Sequence, residues 1–188
     1  MGCPFDSFEV RLKEEKYIKP FVEIFNKETI EDMADWFRVY DENFKKSDDA
    51  NEYILSIDED ALFKEFDVVN VLEKVFVAFL TKYPTAELSA SQERSWNNCG
   101  DTMLAKYEYD TTEKVLSIEI RQADEPYVSY CDECGWEVGG DCEDEDDIPD
   151  WFVHLEDYVP GQKIICPNCG EVIPFDATVS KIGVKIVP

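Results

Sequence analysis

Two Cys-x-x-Cys units constrain this chain more than any other feature. They read Tyr130-Cys131-Asp132-Glu133-Cys134-Gly135-Trp136 and Ile165-Cys166-Pro167-Asn168-Cys169-Gly170-Glu171. Two intervening residues let both sulfurs of a unit turn toward one ion. A glycine directly after the second cysteine permits the left-handed backbone turn that brings amide groups toward the thiolates. Two such turns supply four thiolates, a closed tetrahedral set suited to structural zinc. Cys131, Cys134, Cys166 and Cys169 are therefore the expected metal ligands. The same donor set also accepts iron. Buried or redox-active thiols are the competing reading, and two units flanked in this way fit it poorly.

The second unit, Cys166-Pro167-Asn168-Cys169-Gly170, resembles the knuckles of the zinc-ribbon superfamily, which are similar to those of rubredoxin. The resemblance covers residues 126–188 only. It implies a small C-terminal unit of short strands held by metal, and it implies no activity. One departure is the long separation between Cys134 and Cys166. The insert carries an acidic run (about 139–150) that includes Asp141 to Asp147, followed by Trp151, Phe152 and Leu155. Pro149 suits the first turn of a short helix there. Any functional surface of this unit is expected near Trp151 and the insert.

Upstream, residues 1–125 read as an α+β domain. Phe8, Val10 and Leu12 alternate as in a strand. Tyr17, Phe21, Ile24 and Phe25 recur at helical spacing. Thr29 looks like an N-cap, with Ile30, Met33, Phe37, Tyr40 and Phe44 following at steps of three and four, which predicts a second helix. Tyr53, Leu55 and Ile57 alternate, and Phe66, Val69, Leu72, Phe76 and Phe79 predict a third helix ended by Pro84. Three strands then follow, within 86–94, 103–109 and 116–120. The last two are joined by the polar loop Asp110-Thr111-Thr112-Glu113-Lys114. Helices packed on one face of an antiparallel sheet, followed by the small metal unit, is the expected architecture.

Charge narrows the partners. The chain has 43 acidic and 18 basic residues, a net of -25. Such a surface repels nucleic-acid phosphates and anionic membranes, because affinity for both comes from Lys and Arg. It favours basic protein partners. The N-terminus Met1-Gly2-Cys3-Pro4-Phe5-Asp6 has no basic stretch followed by an apolar one. A cytoplasmic location with reduced thiols is expected. The leading functional expectation is a zinc-binding, non-enzymatic protein-interaction module. A second is a decoy that mimics nucleic-acid phosphates, which would need carboxylates along one elongated face.

A third expectation is a cysteine-dependent enzyme using Cys99, in Asn98-Cys99-Gly100, with His154 as base. A cysteine nucleophile needs an adjacent base and an orienting group, and one histidine elsewhere in the chain is thin support beside a plain turn cysteine. Cys142 and His154 lie between the knuckles and are weaker ligand candidates, since four better-spaced thiolates already close the site. The acidic run lacks the glycine and terminal glutamate of an EF-hand loop and reads better as solvated.

Overall fold

A computed structural model of the chain describes residues 4–48, 50–64, 68–96, 102–124, 127–128, 130–137 and 153–187. A seven-stranded antiparallel sheet organises them. Its strands are β1 (Pro4–Leu12), β2 (Lys45–Lys46), β3 (Tyr53–Asp60), β4 (Leu88–Trp96), β5 (Thr102–Asp110), β6 (Val115–Ala123) and, from the C-terminal stretch, β11 (Ala177–Lys185). The spatial order is β11-β6-β5-β4-β1-β3-β2. Helices α1 (Ile18–Glu28) and α2 (Val68–Lys82) complete the α+β arrangement. Four two-residue strands, β7 (Tyr130–Cys131), β8 (Trp136–Glu137), β9 (Ile164–Ile165) and β10 (Val172–Ile173), form two small hairpins, β7 with β8 and β9 with β10.

Strand alternation builds the core. Phe8, Val10 and Leu12 of β1 point to the same side as Leu55 of β3, Ala90 of β4, Tyr107 of β5 and Ile118 of β6. On that side they meet Phe21 and Phe25 of α1 and Leu72, Phe76 and Phe79 of α2 in one buried cluster. The Phe21 ring lies edge-on to Phe79 at 5.3 Å and stacks on Phe76 at 6.2 Å. Aromatic pairs of this kind add about 0.5–1.5 kcal/mol beyond area burial. The β5–β6 hairpin turns where Asp110 Oδ1 accepts the amides of Thr112 and Glu113 at 2.7 and 2.9 Å. This is the side-chain turn chemistry expected of that loop.

The predicted helix over Ile30–Phe44 does not form. Thr29 closes α1 instead of opening a new helix: its amide and its hydroxyl both donate to Phe25 O, at 3.0 and 2.8 Å. The following backbone finds tertiary partners. Ala34 N–H donates to Leu62 O, and Met33 bridges to Phe63. Asn26 accepts from the Val39 amide at 2.9 Å and donates to the Val39 carbonyl at 2.6 Å, so one side chain stands in for a strand neighbour. Burial shows the same correction. Met33, Phe37, Val39 and Phe44 are buried, but Ile30 and Tyr40 of the supposed stripe are exposed.

β11 pairs with β6 in continuous register from Ala177↔Ala123 to Lys185↔Val115. The two hairpins therefore belong to an excursion between two paired strands. This unit has its own small core of Val128, Cys131, Val153, Tyr158, Ile164, Cys166 and Ile173, with Ala177 and Val179 packed against it. Those two residues lie on the sheet face opposite the helices, by alternation from Val184, which joins the main core. Arg121 ties the excursion down. Its Nη1 donates to Leu155 O at 3.0 Å and to Tyr158 O at 2.6 Å, and its Nη2 pairs with Glu119 at 2.7 Å.

Candidate metal centre

The cysteines come from the two hairpin turns. Cys131 ends β7, and Gly135 N–H donates back to Cys131 O at 2.9 Å, with Gly135 at φ +67°. The second turn repeats this arrangement. Gly170 N–H donates to Cys166 O at 2.9 Å, with Gly170 at φ +78°. Both glycines sit in the left-handed region that a side chain would strain. Each turn places one buried sulfur, Cys131 or Cys166, and one open to solvent, Cys134 or Cys169.

The four Sγ atoms lie within 4.8 Å of one another. Cys131 and Cys169 are 3.7 Å apart, as are Cys134 and Cys166. A tetrahedron with metal–sulfur bonds of about 2.3 Å has edges of about 3.8 Å. A disulfide would need about 2.05 Å, and all four cysteines are free. The donor set is thus positioned to hold one metal ion, and its chemistry and spacing fit zinc or iron equally.

Polar groups converge on the sulfurs. Asn168 Nδ2 donates to Cys134 Sγ at 3.4 Å. Chiefly through that bond, the Cys134 thiol is brought down to about 7. Cys169 behaves in the opposite way. The Glu171 amide favours its thiolate, but burial and the three neighbouring thiols outweigh that bond and push it up to about 12. One thiolate forms readily and repels the next, so a metal that binds all four must displace protons. Loading should therefore weaken as pH falls. Outer groups that hydrogen-bond to ligands typically change metal affinity about 10–100-fold when removed. Asn168→Ala is expected to speed metal release to a chromogenic chelator by about tenfold with the melting profile of the sheet unchanged. Asn168→Asp, which replaces the donor with a charge, should release faster still.

Of the other candidates, His154 is not one of the clustered groups. It bridges to Tyr127, and its ring lies 6.1 Å from the Tyr127 ring. Cys3, Cys99, Cys142, Trp151 and the acidic insert lie outside the described residues. The sheet face opposite the helices mixes its charges: Ser91, Lys106, Glu119 and Lys181 follow one another across β4, β5, β6 and β11. No helix among the described residues is long and apolar enough to cross a membrane.

A second polar site escaped the sequence reading. Asp6 and Arg94 face each other across β1 and β4 on the helix side of the sheet. Arg94 Nε lies 3.4 Å from Asp6 Oδ1, and both side chains are buried. The Phe63 amide donates to Asp6 Oδ2 at 3.2 Å. Burial raises the Asp6 pKa above the ordinary carboxylate value, against the pull of the Phe63 amide, Arg94 and the Leu62 amide. Nearby, Gln92 Oε1 accepts the Tyr107 hydroxyl at 3.0 Å. Comparison with known proteins adds no analogy: no family model matches the chain, no curated protein matches it, and no solved structure matches it.

Proposed function

We propose that this protein is a non-enzymatic interaction module whose C-terminal excursion is folded by structural zinc on Cys131, Cys134, Cys166 and Cys169. The observation that carries the metal reading is the tetrahedral spacing of four thiols from two glycine-closed turns. The protein ligands fill all four positions, which leaves none for a reacting water. The role of the metal is then mechanical. The excursion's core is small, and the free energy of metal binding becomes free energy of folding.

Four thiolates kept for a metal suit a reducing compartment, and the cytoplasm is the location that this reading expects. The surplus of acidic side chains makes a basic protein the fitting partner. Phosphate mimicry asks for a long carboxylate face, and on the described sheet face opposite the helices Lys106, Arg121 and Lys181 stand among the carboxylates.

Elemental analysis of protein purified without added metal tests the metal assignment. One equivalent of zinc per chain and no visible absorbance is expected. Acidification from about pH 7.5 to about pH 5 should release the ion as protons compete for the thiolates. A purified protein that holds no metal and takes up none on zinc titration would remove this reading, and a red iron–thiolate chromophore would replace zinc with iron.

A further inference from the structure

The two edges of the main sheet are built differently. β2 closes one edge with two lysines, Lys45 and Lys46. β11 closes the other with nine regular residues, Ala177–Lys185. Among the described residues, no strand pairs with its outer side. The direction of its backbone groups follows from the register. Ile186 N–H donates to Lys114 O at 2.9 Å, which continues the β6–β11 ladder one step beyond Lys185↔Val115. Bonded and non-bonded pairs alternate along an antiparallel ladder. Ile182 and Val184 therefore bond to β6, while Lys181, Gly183 and Lys185 aim their N–H and C=O groups outward. Such a row is a template for one more strand. Ala177 and Val179 pack on the core of the excursion, so the open stretch runs from Lys181.

Alternation gives this edge two different faces. Ile182 and Val184 lie on the helix side. Val184 packs on the main core, and Ile182 is 44% exposed. Lys181, Gly183 and Lys185 lie on the other side. Rows across the sheet there read Lys181–Glu119–Lys106, Gly183–Ser117–Glu108 and Lys185–Val115–Asp110. The bases stand on the edge itself, and the carboxylates lie one or two strands inside it. Residues 177–187 hold no acid. Glu119 is shared by Lys181 at 2.5 Å and Arg121 at 2.7 Å, so one carboxylate answers two cations. Asp110 accepts the turn amides of Thr112 and Glu113. Lys185 Nζ donates to Glu113 O at 2.6 Å, a neutral carbonyl. Beside Gly183 and Ser117 a trough of about 410 Å³ opens, bordered by Lys106, Glu119 and Lys181.

We propose that the outer edge of β11, from Lys181 to Lys185, receives an extended segment of a partner protein as a further strand, one that alternates carboxylate and apolar side chains. Its backbone bonds to Lys181, Gly183 and Lys185. Its carboxylates lie beside Lys181 and Lys185, and the side chain opposite Gly183 enters the trough. Its apolar side chains cover Ile182 on the helix side. In strand addition the backbone bonds supply affinity and the alternate side chains supply specificity. A second copy of this chain fits worse. Antiparallel pairing of two copies about Gly183 sets Lys181 of each against Lys185 of the other, and each copy carries a net charge of -25. Lysine on an edge strand guards against such self-pairing. The proposal rests on the interaction-module reading and deepens it by naming one surface. Charge at this edge favours an acidic segment, although the chain as a whole favours a basic partner. The edge does not depend on the ion.

The test uses the full chain, labelled with nitrogen-15 and with its metal content measured, and the capped peptide Thr-Glu-Val-Glu-Val-Glu-Thr. In the free protein the amides of Ile182 and Val184 are expected to exchange slowly with solvent, and those of Lys181, Gly183 and Lys185 fast. Excess peptide should slow the latter three at least tenfold. An analogue with Lys in place of each Glu should bind this edge at least fivefold more weakly. Gly183→Pro removes an outward N–H and leaves the bonds to β6 in place, and it should lose tenfold or more in affinity. Lys181→Gln/Lys185→Gln keeps every backbone group and should lose about fivefold, with a flatter salt dependence. Unchanged exchange at the three amides in excess peptide would overturn the proposal, as would equal binding by wild type and both variants. Slow exchange of those amides in the free protein would show the edge already covered and would overturn it too. A Lys analogue that binds more tightly without protecting β11 would sink the edge and leave the basic-partner reading standing.

Discussion

Cys166→Ser is expected to lose the metal and to unfold the excursion between β6 and β11 while the main sheet survives. Cys166 is a buried sulfur near the centre of the small core, 3.7 Å from Cys134. Serine removes a thiolate and leaves a hydroxyl among Val128, Ile164 and Ile173. Three thiolates hold zinc far less well than four, and without the ion the remaining thiols repel one another on ionisation. Structural zinc in comparable units contributes roughly 10–16 kcal/mol of apparent binding free energy at neutral pH. Packing inside so small a core, seven buried side chains among the described residues, does not replace that amount.

Two readouts distinguish this from general destabilisation. Metal content should fall from one equivalent to near zero. Amide exchange should become fast over 130–137 and 153–173 and stay slow in β1, β4 and β5. Arg121 should then lose its two carbonyl acceptors, Leu155 O and Tyr158 O, which exposes the face of β6 and β11 that Ala177 and Val179 share with the excursion. A Cys166→Ser protein that keeps one equivalent of metal and an unchanged exchange pattern would remove the structural role of the site.

The clustering of the four cysteines was legible because its chemistry is local. The cysteines, their spacing and the left-handed glycines of each turn fall within a few residues, and no distant contact is needed to recognise them. The alternating strands were legible for the same reason, since Phe8, Val10 and Leu12 and their counterparts repeat with the period of a pleated sheet. The segment 30–44 was misread because apolar residues at steps of three and four also arise in an irregular chain with scattered anchors. What decides against a helix there is Asn26, Leu62 and Phe63, three partners outside the segment. The membership of β11 in the main sheet was equally hidden. Strand pairing is a non-local property, and only the register with β6 reveals it.

The Asp6–Arg94 pair shows the same limit most sharply, and Arg94→Leu is the second change with a large expected effect. Neither residue carries a local signature; they meet only through the antiparallel register of β1 and β4. Removing Arg94 leaves the Asp6 carboxyl buried with the Phe63 and Leu62 amides as its partners among the described residues. Breaking a buried pair from one side costs about 3–5 kcal/mol, or roughly 6–20 °C in melting temperature for a chain of this size.

The loss should depend on pH with a definite sign. Burial already raises the Asp6 pKa, and losing the guanidinium raises it further. A carboxyl whose folded pKa is raised stabilises the fold below its unfolded value and loses that contribution as pH rises through the folded value. The gap in melting temperature between wild type and Arg94→Leu is therefore expected to widen from about pH 4.5 to about pH 7.5. Asp6→Asn/Arg94→Leu removes both charges, keeps an acceptor for the Phe63 amide, and should recover most of the lost stability, since apolar replacement of a buried pair is often neutral or better. A double variant no more stable than Arg94→Leu alone, with a gap that stays flat across that range, would show that Arg94 acts through packing of its alkyl stem and not through the charge of Asp6.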